Sequence, residues 1–274
     1  MANAATHGWS IKQVSSFCCM LLLIASFPLH AAAQSSEEHD VEVVSAEDMG
    51  PFRPENDPDL KKVAQSIVKQ TNDFRESEGQ EPVSTDEQLQ QTAQDFADYM
   101  AETNRYGHTA DGRGPGQRVT AHEYTYCIVA ENIAYHFHTR GIATQPLADQ
   151  AFTGWKNSPG HRRNMLKPYV TETAVALSQS ESTGVYYAVQ LFGRPKSASQ
   201  SFSLKNQTPN DITYQVGERS FLLPPRYSRT HQVCRPPTVK LLQGEHVIAE
   251  REPSEGTTLR VVSSDGKLQL QAGE

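Results

Sequence analysis

Gly184-Val185-Tyr186-Tyr187-Ala188-Val189-Gln190-Leu191-Phe192-Gly193 is the stretch that decides the fold. Along an extended chain Val185, Tyr187, Val189 and Leu191 fall on one side, and Tyr186, Ala188 and Phe192 on the other. A strand apolar on both sides is covered on both sides. Thr173 to Leu177 repeats the pattern, so at least two strands of one sheet need helices above and below. The chain before them supplies helices. Leu60 to Glu78 carries Leu60, Val63, Ile67, Thr71 and Phe74 at helical spacing and stops at Gly79. A second helix opens at the capping-box pattern Ser84-Thr85-Asp86-Glu87 and buries Leu89, Ala93, Phe96, Ala97 and Met100. A third runs from about Gln145 to Trp155, with Leu147, Ala148, Ala151 and Phe152 facing inward. Helices early and covered strands late predict an α/β chain, an α-β-α sandwich.

Outward from that sheet, Trp155-Lys156-Asn157-Ser158-Pro159-Gly160-His161-Arg162-Arg163-Asn164-Met165-Leu166 reads as a helix end, a tight corner and a second short helix. Ser158 is placed as its N-cap, accepting a backbone N–H, with Pro159 at the first helical position. His161 then sits in the first turn, where the helix dipole favours a neutral ring. Two upstream segments are able to meet it. His108 lies in a loop with four glycines, Tyr106 to Gly116, and Glu131 opens Glu131-Asn132-Ile133-Ala134 after the β-prone run Tyr124 to Val129.

Two imidazoles and a carboxylate suit a divalent metal such as zinc with an open position, with His108 and His161 as ligands. A water on such an ion is a nucleophile near neutral pH. Plainer readings stand beside this one. Loop histidines are usually solvated, and Glu131 would as readily cap a backbone or bridge to an arginine. Asn72 and Arg75 are expected to hydrogen-bond neighbouring loops, and Arg162 and Arg163 to form a solvated face with one anchoring a loop. The paired histidines of secreted zinc peptidases are missing, since His122-Glu123 is followed by Tyr126 where the second histidine would stand. No G-x-S-x-G elbow surrounds Ser158.

The N-terminus has the form of an export signal over residues 1–33. Lys12 is the only Lys, Arg, Asp or Glu before Glu37, Phe17 to Phe27 is apolar, and Ala31-Ala32-Ala33 offers a cleavage site. The apolar run is too short to span a bilayer, and no later segment is apolar enough, so the mature chain is expected to lack a transmembrane segment. Cys18 and Cys19 stand at the wrong end of the apolar run for lipid attachment. Residues 34–59 hold nine carboxylates against Arg53 and read as an acidic disordered linker. That stretch contributes −8 and Lys12 +1 to the net charge of −7, so residues 60–274 are neutral and give no reason to propose nucleic acid. Cys127 and Cys234 either pair in an oxidising compartment or remain two buried thiols.

From residue 198 to 274 the texture is all-β. Phe202-Leu204, Ile212-Val216, Phe221-Leu223, Val239-Leu241, His246-Ile248, Leu259-Val261 and Leu268-Leu270 are short strand candidates, with Asp265-Gly266 as a hairpin turn. A small sandwich or barrel is expected. Asn206-Gln207-Thr208 is a glycosylation sequon where the host modifies exported chains.

The order Asn72-x-x-Arg75, His108 before an Asp111-Gly112-Arg113 turn, Glu131-Asn132-Ile133, Trp155 to Leu166, and Tyr186 to Gly193 resembles the CAP superfamily. This family is also called SCP-like; it includes cysteine-rich secretory, antigen 5 and pathogenesis-related proteins. The likeness is to its bacterial-type branch and covers roughly residues 60–195, giving a CAP domain over 60–197. It implies an α-β-α sandwich with a cleft lined by His108, Glu131 and His161. Animal and plant members place a second glutamate where this chain has Ser158, so the full four-residue cleft is not reproduced. Bacterial-type members often carry glycine where Ala174 and Ala176 stand. The resemblance favours a secreted, non-enzymatic binding module whose cleft (His108, Glu131, Ser158, His161) holds a divalent metal or a small ligand. Its extracellular partner would be a lipid, glycan, cell-wall or protein ligand. The alternative is a metal- or His/Glu-dependent hydrolase of peptide or cell-envelope substrates.

Overall fold

In the computed structural model, residues 41–43, 45 and 57–273 are described; the expected export signal and most of the acidic stretch lie outside them. The described residues belong to one compact unit, residues 39–274. In chain order the first part contains β1 (Glu42–Val43), α1 (Leu60–Ser77), β2 (Ser84–Thr85), α2 (Glu87–Thr103), β3 (Arg105–Tyr106) and α3 (Pro115–Ala121). There follow β4 (Tyr126–His136), α4 (Thr144–Asn157), α5 (Pro159–Met165), β5 (Glu172–Gln179) and β6 (Tyr186–Pro195).

Strands β2, β5, β6 and β4 form one sheet in that order. β5 and β4 run antiparallel to β6, and β2 runs parallel to β5. The two sides of β6 divide as the alternation predicts. Tyr186, Ala188 and Phe192 pack with Val63, Ile67 and Phe74 of α1 and Leu147, Ala151 and Trp155 of α4. Tyr187, Val189 and Leu191 pack with Leu89, Phe96 and Met100 of α2 and Val119 of α3. The architecture is an α-β-α sandwich.

Details of the helix ends differ from expectation. Ser84 and Thr85 do not cap α2; they form β2 beside Glu172 and Thr173. Asp86 is the cap, its carboxylate accepting from Leu89 N at 2.9 Å. Helix α3 begins inside the loop expected over Tyr106 to Gly116, its first turn opened by Pro115, and runs on to Ala121. Within the acidic stretch, expected to be disordered, Glu42 and Val43 pair with Tyr106 and Arg105, and Asp59 caps α1 at Lys62 N. Asn72 and Arg75 do bind neighbouring loops. Asn72 exchanges two bonds with the Val83 backbone, and Arg75 donates to the carbonyls of Glu81, Met165 and Lys167.

Gly193 of β6 lies beneath Tyr124, whose hydroxyl donates to Glu172 Oε2 at 2.5 Å. A methyl group at Gly193 would meet that hydroxyl and sit 2.9 Å from Leu89 Cδ1. Because the tyrosine is tethered, Gly193→Ala is expected to cost about 1–3 kcal/mol as overpacking. A denaturant midpoint equal to wild type would contradict this.

The second part is a two-sheet β-sandwich of β7 (Gln200–Asn206), β8 (Ile212–Val216), β9 (Arg219–Leu223), β10 (Ser228–Val233), β11 (Val239–Gln243), β12 (His246–Arg251), β13 (Thr258–Ser264) and β14 (Lys267–Ala272). The sheets run β10-β7-β13-β14 and β12-β11-β8-β9 and share a core that includes Phe202, Leu204, Tyr214, Leu241 and Val261. Asp265 and Gly266 join β13 to β14 with φ of 52° and 75°, the left-handed pair that a tight hairpin requires. β10 has no counterpart among the expected strands, because its polar sequence SRTHQV lies on an exposed edge. Asn206 of the sequon is fully buried, its amide donating to Asn210 O and Leu223 O, so the folded chain offers no glycosylation site there. A disulfide joins Cys127 of β4 to Cys234 just after β10.

Candidate functional site

β4 is an edge strand, and its alternation sends successive side chains to opposite faces of the sheet. Glu131 meets α3. Arg118 Nη2 donates to Glu131 Oε1 at 2.9 Å and Oε2 at 2.7 Å, and Nη1 donates to Asp111 Oδ1 at 2.8 Å. The same guanidinium stacks 3.6 Å above the Phe96 ring and donates to the carbonyls of His108 and Arg113. His108 Nδ1 lies 2.8 Å from Glu131 Oε1. Glu131 is therefore a buried anion shared between an arginine and an imidazole, with 1% of its side chain exposed.

Asn132 turns the other way. Its amide donates to the His161 carbonyl at 3.3 Å and to Gln190 Oε1 at 3.2 Å, and Gln190 in turn donates to Thr71. Asn164 of α5 donates to Asn132 Oδ1 and to the Glu131 carbonyl, while Trp155 Nε1 donates to the Ile133 carbonyl. These side chains cover the outer edge of β4 and fasten the α4–α5 corner to it. His108 and His161 thus approach the same strand edge from its two sides, near enough that charge on His108 disfavours charge on His161.

His161 is held below the ordinary imidazole range first by burial and second by His108. The shift runs in the direction expected from the helix dipole, toward the neutral ring, with burial as its principal cause. Ser158 has the extended backbone of an N-cap but makes no capping bond, contrary to expectation. Arg162 pairs with Glu78 at 3.0 Å and lies over Phe74, anchoring the end of α1. Arg118 stands in no motif of the sequence, and the motifs that contain Asp111, Asn132 and Asn164 give those side chains no role. The one available signal for Arg118 was Gly114-Pro115, a helix start placing an arginine one turn in.

The fit to a metal is poor. Among the described residues no group of three His, Cys, Asp or Glu side chains is arranged to hold an ion. Glu131 is spoken for by Arg118, so a cation here would have two imidazoles as its protein ligands. That set does not fit a three-ligand catalytic zinc site.

The depressed histidines give a pH prediction. His136, His161 and His231 all lie below the ordinary value of 6.5, burial being the first cause in each. Unfolded rings take protons near that value while folded rings resist, so the unfolded state binds more protons and stability falls below it. The urea midpoint is expected to be lower at about pH 5.5 than at about pH 7.5, with His136→Gln narrowing the gap. A pH-independent midpoint would contradict the assignment.

Residues 68–192 match the model of the cysteine-rich secretory protein family, CAP. An uncharacterized protein, YkwD, of Bacillus subtilis (strain 168) is 30% identical over 117 residues, 42% of this chain and 42% of that protein. The chain thus spans less than half the length of this curated relative. An extracellular protein containing an SCP domain from Bacillus anthracis is 25% identical with a TM-score of 0.42, over 49% of this chain and 41% of that one. An outer surface protein from Borrelia burgdorferi is 18% identical with a TM-score of 0.44, over 50% of this chain and 96% of that one. The family match covers most of the sandwich and every residue of the His108–Glu131–His161 cluster: residues 68–192 of this chain match the CAP domain of the cysteine-rich secretory protein family.

Proposed function

We propose that the protein is an extracellular binding module that contacts its ligand at the β4 edge through His108 and His161 and catalyses no reaction there. The observation that carries this reading is the state of Glu131. Its carboxylate is buried and held by Arg118 and His108, so it orients a ring instead of waiting for a proton. A general base must reach the proton it removes, and this one is turned inward. Export is supported by the N-terminal signal pattern and by the Cys127–Cys234 disulfide, a bond that persists in oxidising compartments. A divalent cation at two imidazoles would bind weakly and serve ligand contact.

The test uses protein beginning at Gln34 beside His108→Ala/His161→Ala. Zinc calorimetry is expected to give weak heat that disappears in the variant, and incubation with casein or peptidoglycan is expected to release no product. Product release that vanishes in the variant would sink the binding reading in favour of hydrolysis.

A further inference from the structure

A second site lies on the opposite edge of the sheet, separate from the histidine cleft and independent of the reading given for it. There a cavity of about 750 Å³ opens beside Val175, Ala176 and Leu177, between α1 and α2. The cause is the shortness of β2. It pairs with β5 only at Glu172 and Thr173, and Asp86 then turns the chain into α2. Beyond Thr173, no strand lies against this edge of β5 among the described residues.

The edge is polar and regular. Ser84 N donates to Thr171 O and Asp86 N to Thr173 O, which places the outward-facing backbone groups on odd-numbered residues. The next two outward carbonyls, Val175 and Leu177, accept from the side-chain amides of Gln90 and Gln94 at 3.0 and 3.5 Å. Side chains of α2 thus stand in for the donors of a missing strand, while the N–H groups of Val175 and Leu177 have no strand among the described residues to donate to. The walls differ. Leu60, Ala64 and Val68 give the α1 side an apolar stripe beside Lys61 and Gln65, while Glu87, Gln90 and Gln94 make the α2 side polar throughout.

We propose that this lane binds an extended peptide, which adds to β5 as a strand. Its alternate side chains point to opposite walls, so the fitting sequence alternates apolar residues toward α1 with polar residues toward α2. An acyl chain would fill the volume but leave the outward N–H groups unpaired. A second copy suits the lane less well than a free strand, because residues of α1 and α2 line this edge and the same helices would flank the partner's edge.

The probe is a fluorescein-labelled heptapeptide of alternating valine and threonine with a lysine at each end, followed by anisotropy with the chain from Gln34. Saturable binding is expected, with slowed hydrogen exchange at the Val175 and Leu177 amides. N-methylation of the peptide amides that face β5 should weaken binding by at least about tenfold, and methylation of the others should not. Ala64→Trp, which fills the apolar wall, should weaken it comparably. The methylation pair and the exchange measurement use the unmodified protein and decide the matter if that variant does not fold. Equal binding by both methylated peptides, no protection at Val175 and Leu177, or uptake of a fluorescent fatty acid without uptake of the peptide would overturn the proposal. So would a concentration-dependent dimer that protects these same amides.

Discussion

Replacing Arg118 by methionine is expected to destabilise the CAP domain by about 3–5 kcal/mol, the cost of stranding a buried charge by removing its partner. The guanidinium is 3% exposed and neutralises two carboxylates, those of Asp111 and Glu131, that are 4% and 1% exposed. It also holds the loop carbonyls of His108 and Arg113, so its loss frees the loop that carries His108. Truncation and net worth of the pair are different quantities. Arg118→Met/Glu131→Gln leaves no unpaired charge at Glu131 and should recover part of the loss. Protein beginning at Gln34 has Trp155 as its sole tryptophan, so emission during urea unfolding reports both variants cleanly. A cost below about 1 kcal/mol for Arg118→Met would show that water reaches the site and screens it.

Trp155→Ala is the second large effect, about 3–5 kcal/mol for emptying a core position of that size. The indole is 1% exposed and sits in the core that α1 and α4 form on their side of the sheet. Its Nε1 donates to Ile133 O, a carbonyl that also receives the Tyr106 hydroxyl, so most of the loss is packing. Trp155→Phe keeps part of the volume and should cost clearly less. Because α4 leads directly into α5, the Ala variant should also shift the His161 ring resonances in an NMR spectrum. Unmoved His161 signals with a full stability loss would show that the corner is held by Asn132 and Asn164 alone.

The sheet was readable in the sequence because burial on both sides leaves a two-sided apolar alternation, which β5 and β6 keep except at buried polar positions such as Thr173 and Gln190. His108, Glu131 and His161 were readable as a set through the order of motifs on which the family resemblance rests, since a loop histidine alone says little. What joins them was not. Arg118 looks like any surface arginine of a short polar helix, and only the tertiary fold turns it inward over Phe96. β10 escaped for the converse reason: an exposed edge strand needs backbone partners and no apolar side chains. Ser84 and Asp86 both suit a helix start, and the choice between them is made by β5, which claims Ser84 for the sheet.

The disulfide between Cys127 and Cys234 has a consequence for the order of assembly. Synthesis delivers Cys127 with β4, and its partner arrives 107 residues later, after β5 and β6 and most of the second sandwich's early strands. The CAP sheet is thus complete in sequence while one of its edge strands still carries an unpaired thiol. The bond cannot guide that sheet into place. It can close once β10 has been made, with β11 to β14 still to come, and so fastens the CAP sheet to a second sandwich that is only half complete in sequence.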